Sequence, residues 1–162
     1  MNFLHILPIS FFRWCEAVWP GDWIKSATWV FAVVETVHIM VLAVLLGTIF
    51  VIDLRLLGVG MKSRSAVTLA RELSPWTLTS IVLMVITGTM MFMSEAVKMS
   101  QSGPFFYKIL FFLLALIVHF TLTRASTRPG VQEGATLGKV SACLSLFFWF
   151  AVAFGGRAIA FL

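Results

Sequence analysis

The stretch from Trp29 to Gly58 reads WVFAVVETVHIMVLAVLLGTIFVIDLRLLG and is long and apolar enough to cross a bilayer as one helix. Inside it stand Glu35 and His38. An ionisable group in hydrocarbon costs several kcal/mol, so it ordinarily faces a partner, a cavity or a cofactor. The two residues are three apart and share a side of a helix. The segment therefore predicts a membrane protein with a polar site built into its interior.

The rest of the chain agrees with that setting. Hydrophobic residues make up 60% of the 162 positions and charged residues 12%, against about 25% charged in soluble domains. The length allows one bundle of about four spans and no separate soluble domain. Apolar periodicity places the spans at 27–57, 75–97, 105–123 and 137–161, an all-α integral membrane four-helix bundle. Asp53-Leu54-Arg55 marks the far end of the first span, Ser74 caps the second with Pro75 in its first turn, and Ser100–Pro104 forms the turn before the third. Residues 3–24 mix Phe, Leu and Ile with Trp14, Trp19, Trp23, Arg13, Glu16 and Asp22, and Pro8 and Pro20-Gly21 punctuate them. That pattern predicts an amphipathic helix lying in the interface with its tryptophans at headgroup depth, and His5 solvated. MNFLHILPIS has no basic opening and no small-residue cleavage site after it, so it does not read as a signal peptide.

The net charge of +5 sits mostly in loops. Arg55, Lys62, Arg64, Arg71, Arg124, Arg128 and Lys139 fall in the first and third connections, which predicts those loops inside and both termini outside, in the periplasm of a bacterium. A basic solvated face for nucleic acid is absent. Cys15 and Cys143 lie in different segments with no CxxC or CxxCH, which leaves covalent c-type haem and zinc sites unsupported. No serine–histidine–acid set, carboxylate pair or phosphate loop is present, so no catalytic residue is assigned.

His38 lies too deep for its short side chain to reach water. A neutral imidazole is a usual axial ligand of haem iron, and its second nitrogen needs an orienting acceptor. Lys108 and Arg157 fall at an outer depth suited to haem propionates, and Gly88 and Gly155-Gly156 leave room for a flat macrocycle. His119 would complete a bis-histidine metal site if tilt brings it level with His38, and Met90 is the alternative sixth ligand. Glu35 would orient the site, relay a proton, or pair with Lys108 or Arg157. The bland alternatives are a histidine bonded to a neighbouring helix, snorkelling cations and core-filling methionines. Copper is the rival cofactor, since thioethers and imidazole suit Cu(I), although the eight methionines form no repeated run within one span.

Four segments carry a family resemblance: SATWVFAVVETVHIMVLAVLLGTIFVIDLRLLG, SPWTLTSIVLMVITGTMMFMSEAVK, the FYK that opens span three, and SLFFWFAVAFGGRAIAFL. Together they resemble a bacterial family of uncharacterised four-span membrane proteins over nearly the whole chain. In layout the chain is also similar to CopD-like copper-resistance membrane domains and to the bacterial haem-binding protoporphyrinogen oxidase. The resemblance to the latter maps an early-span histidine onto His38 and a lysine entering a later span onto Lys108. His119 stands where the uncharacterised family is expected to carry an asparagine-like residue, which favours His38 with another partner. The leading expectation is thus an inner-membrane b-type haem protein that passes electrons within the membrane or to a periplasmic or membrane redox partner. Copper handling, or a non-catalytic subunit of a larger membrane complex, is the alternative. Lipid contact and a homo-oligomer are compatible with the aromatic-rich surface.

Overall fold

A computed structural model describes residues 8–131 and 134–159, with side chains omitted at Thr28 and from Gly156 onward. The architecture is all-α. Two short helices, α1 (Ile9–Ala17) and α2 (Gly21–Ser26), precede α3 (Thr28–Leu56) and α4 (Ala66–Ser94). A short α5 (Ala96–Gln101) leads to α6 (Gly103–Val118), which continues through one π-helical turn (His119–Thr123) into α7 (Arg124–Ser126). The last helix is α8 (Thr136–Ile159). Four stretches are long and apolar enough to cross a membrane: Trp29–Leu56, Ala66–Ser94, Gly103–Ser126 and Thr136–Gly155. Large apolar side chains such as Met40, Phe147, Phe150 and Phe154 point outward, as a lipid-facing surface requires.

Local chemistry sets the helix ends. At the close of α3, Gly58 adopts φ +79°. There the amides of Gly58 and Val59 turn back onto the carbonyls of Arg55 and Leu54, a left-handed stop that glycine permits at no steric cost. Ser65 caps α4 by accepting from the Thr68 amide at 3.0 Å, and Ser102 caps α6 by accepting from Phe105.

Three boundaries differ from the sequence reading. The second span begins at Ala66, so Pro75 lies inside α4. Ser65 supplies the cap that Ser74 was expected to give, and the helix tolerates a proline that removes the amide partner of the residue 71 carbonyl. The turn expected at Ser100–Pro104 narrows to Ser102, since Ser100 and Gln101 close α5 and Gly103 and Pro104 open α6. The single interfacial helix is two helices broken at Val18–Pro20, with a cis Trp19–Pro20 peptide. His5 lies outside the described residues.

The bundle is a row rather than a closed ring. Helix α3 packs on α4 and on α8, and α8 packs on α6. Among the described residues α4 and α6 do not pack along their length, and their rings meet where Phe92 stacks on Phe105 at 5.5 Å. Leu45, Ile49, Ile81, Met84, Ala115 and Trp149 form the central core. Below, the side holding α1, α2 and α5 is the terminal side, and the side holding the α3–α4 and α7–α8 connections is the loop side.

The amino-terminal segment is docked on the bundle. Phe12 and Cys15 are buried against Ala96, Phe92 and Val97. Glu16 pairs with Lys25 and accepts from the Val97 amide at 2.9 Å. Gly21 lies so close to the Cys15 and Met93 carbonyls that a Cβ there would fall 2.6 and 2.8 Å from them. Trp14, Trp19 and Trp23 remain exposed, as expected of headgroup-level anchors.

Candidate functional site

His38 sits ten residues into α3, roughly 15 Å along the helix from its terminal-side start, and is buried. Its Nδ1 lies 2.7 Å from Thr87 Oγ1 on α4. The same Thr87 hydroxyl lies 2.7 Å from the Leu83 carbonyl. A carbonyl only accepts and a hydroxyl has one proton. Thr87 therefore donates to Leu83 and must accept from His38, which fixes the proton on Nδ1. The neutral ring then carries its lone pair on Nε2, and among the described residues no hydrogen bond is made there. This is the arrangement in which a metal-ligating histidine is oriented by an acceptor behind it.

The neighbours of His38 come from α4 and α6. The ring packs against Gly88, where an added Cβ would lie 3.4 Å from Cε1. Lys108, half-buried on α6, is near enough for its charge to act on His38. The Lys108 stem rests on Gly155 of α8, where a Cβ would meet its Cβ at 3.4 Å. Gly88 and Gly155 were expected to leave room for a macrocycle. In the structure the space they vacate holds the imidazole and the lysine stem. Met90 is half-buried three residues beyond Thr87, about one turn toward the terminal side.

Two expected members stand apart. Glu35 is exposed and makes no ion pair or hydrogen bond among the described residues. Three helical residues advance about 300°, so Glu35 is offset from His38 by about 60°, enough to carry it off the buried stripe. The acceptor that orients His38 is thus Thr87 and not Glu35. His119 lies in the π turn, with Nδ1 buried and without a partner. It faces a cavity of about 570 Å³ that also contacts Thr77 and Leu78. Those residues are about ten positions along α4 from Thr87, or roughly 15 Å. The bis-histidine expectation is corrected accordingly, because His38 and His119 do not share a centre. Arg157 falls within α8, and its side chain lies outside those described.

One residue that sequence reading took for a helix-end marker is buried in the interior. Asp53 is 0% exposed, and among the described residues neither carboxyl oxygen has a hydrogen-bond partner. Ser145 of α8 is near enough to act on that carboxyl, yet its own hydroxyl completes no hydrogen bond. Trp149 Nε1, one turn further along α8, is likewise unpartnered. The signal was present in the spacing. Leu45, Ile49, Asp53 and Ser141, Ser145, Trp149 recur every four residues, so each set forms one inward stripe of its helix. Thr87 was also readable, as a hydroxyl in TGTMMFM level with His38.

Among the described residues no three His, Cys, Asp or Glu side chains gather at a point. The model of a family of unknown function, DUF6644, matches residues 11–162. No curated protein and no solved structure matches the chain.

Proposed function

The chain belongs to DUF6644, a family without an assigned function, and we propose from its own geometry that it is a membrane b-type haem protein. The observation that carries this reading is the fixed tautomer of His38. A buried neutral imidazole with Nδ1–H committed to Thr87 offers Nε2 as a ligand. A porphyrin brings its own in-plane donors, so it needs few side chains from the protein. That suits a site with one imidazole and no three-residue ligand cluster better than a bare copper ion does.

In this reading His38 would hold the group through Nε2, and Met90, on the α4 stretch that carries Thr87, would be a thioether ligand to it. Lys108 supplies the cation for a propionate, and its packing on Gly155 keeps the stem in place. The bound haem would supply one-electron chemistry, with a potential set by the axial pair and by burial. The chain's own part is to keep His38 neutral, hold its ring against Gly88 and exclude water. The site lies nearer the terminal side, which the positive-inside rule turns toward the periplasm of a bacterial inner membrane. Electrons would then pass to a membrane or periplasmic partner at that face.

Purified protein is expected to show a Soret band and a pyridine haemochrome of type b, both lost in His38→Ala and retained in His119→Ala. A colourless, iron-free preparation after expression with added haem precursor would remove the proposal.

A further inference from the structure

The cavity of about 570 Å³ beside His119 belongs to a different part of the molecule. It opens on the loop side between α4 and the π turn, where the two helices stand apart. Its walls include Leu78 and Phe120, both more than two-fifths exposed. Arg71, Arg124 and Arg128 ring it, and no carboxylate lines it. Among the described residues none of these three guanidiniums has an ion pair or hydrogen bond. The acid next to Arg71 in sequence, Glu72, is already held by Arg64 at 2.9 Å. His119 adds an unpartnered nitrogen in the same wall.

Among the described residues, three cations border one cavity with no anion to offset their charge. Their depth says which anion. Helix α4 has 29 residues, about 43 Å at 1.5 Å per residue, against a hydrocarbon core of about 30 Å. Centred in the bilayer, it projects roughly 6–7 Å on each side, which puts Arg71 at the hydrocarbon boundary. A ligand that is anionic at that level and apolar just above it is an amphiphile lying parallel to the helices. We propose that this cleft is a specific site for one anionic phospholipid. Its phosphate is held by Arg71, Arg124 and Arg128, and an acyl chain runs against Leu78 and Phe120 in the gap between α4 and α6. Basic pockets between spans are a known way of capturing such headgroups.

The test uses the full chain in neutral detergent, with native mass spectrometry and thermal unfolding as readouts. Titration with phosphatidylglycerol is expected to give one retained lipid per chain and a raised midpoint, with at least tenfold preference over phosphatidylcholine. The variant Arg71→Gln/Arg124→Gln/Arg128→Gln should lose that preference. Leu78→Trp, which fills the apolar half and keeps every charge, should weaken binding of both lipids by a similar factor. The water-soluble headgroup analogue glycerol phosphate should give no shift at the concentration where the lipid saturates. Equal affinity for the two lipids, or undiminished binding in both variants, would overturn the proposal. An equal shift from glycerol phosphate would also overturn it and mark the site as one for soluble phosphate esters. Should the triple variant not fold, the Leu78→Trp result and the lipid preference of the unaltered chain decide the matter.

Discussion

Thr87 holds His38 from behind: it accepts from Nδ1 at 2.7 Å while giving its only proton to the Leu83 carbonyl. Thr87→Val keeps the shape and removes the acceptor. The Nδ1–H is then buried without a partner, at a cost of about 1–3 kcal/mol, and the ring is free to change tautomer. Loss of an orienting partner typically lowers cofactor affinity by about 10–100-fold. Haem titration followed at the Soret band should show that loss in Thr87→Val and near-normal affinity in Thr87→Ser, which restores the hydroxyl. Equal affinity in all three proteins would mean that Thr87 does not set the ligand.

Asp53 is a carboxyl at 0% exposure with no hydrogen bond to either oxygen among the described residues. Burying such a group unpaired opposes folding, and a neutral amide of the same shape costs less to bury than a carboxylate. Asp53→Asn should therefore unfold at the same temperature or higher, measured in one detergent at neutral pH. A clear drop in the midpoint would show that the carboxylate has a bound partner in the native protein.

Gly21 leaves no space for a side chain, since a Cβ would stand 2.6 Å from the Cys15 carbonyl and 2.8 Å from that of Met93. Both obstacles are backbone, so relief requires α2 to move. Gly21→Ala should cost about 1–3 kcal/mol, the usual penalty of overpacking. It should also loosen the amino-terminal segment while the four spans stay folded. Faster maleimide labelling of Cys15, which is 5% exposed in the docked form, would report that release.

The same segment should respond to acid. Burial alone pushes the Glu16 carboxyl up, but the Lys25 ammonium and the Val97 amide outweigh it and hold the carboxyl below its ordinary value of 4.5. A carboxyl lowered in the folded state adds stability above its unfolded pKa, and that stability is lost as pH falls through the folded value. Cys15 labelling should therefore quicken on acidification below the usual carboxylate range. Glu16→Gln should flatten that pH dependence. Burial raises the Cys15 thiol pKa, so rates are compared at each pH with an unfolded control.

Much of this architecture follows from composition and periodicity, because a bilayer demands long apolar helices whatever their neighbours. His38 and Lys108 were legible as polar groups within the spans for the same reason: a polar group is conspicuous in an apolar run. The start of α4 was not, because Pro75 looked like a first-turn residue until the Ser65 cap placed it ten residues into the helix.

What the sequence alone determined is therefore the membrane setting, the four spans and the presence of a buried imidazole. Which groups meet was decided by tertiary structure, since helix rotation and register depend on packing between segments far apart in the chain. A 60° offset sends Glu35 outward, the register of α4 puts Thr87 behind His38, and His119 falls beside a part of α4 about ten residues, or roughly 15 Å, from Thr87. The lack of packing between α4 and α6 leaves the arginine-ringed cleft. No local pattern in either helix encodes that gap.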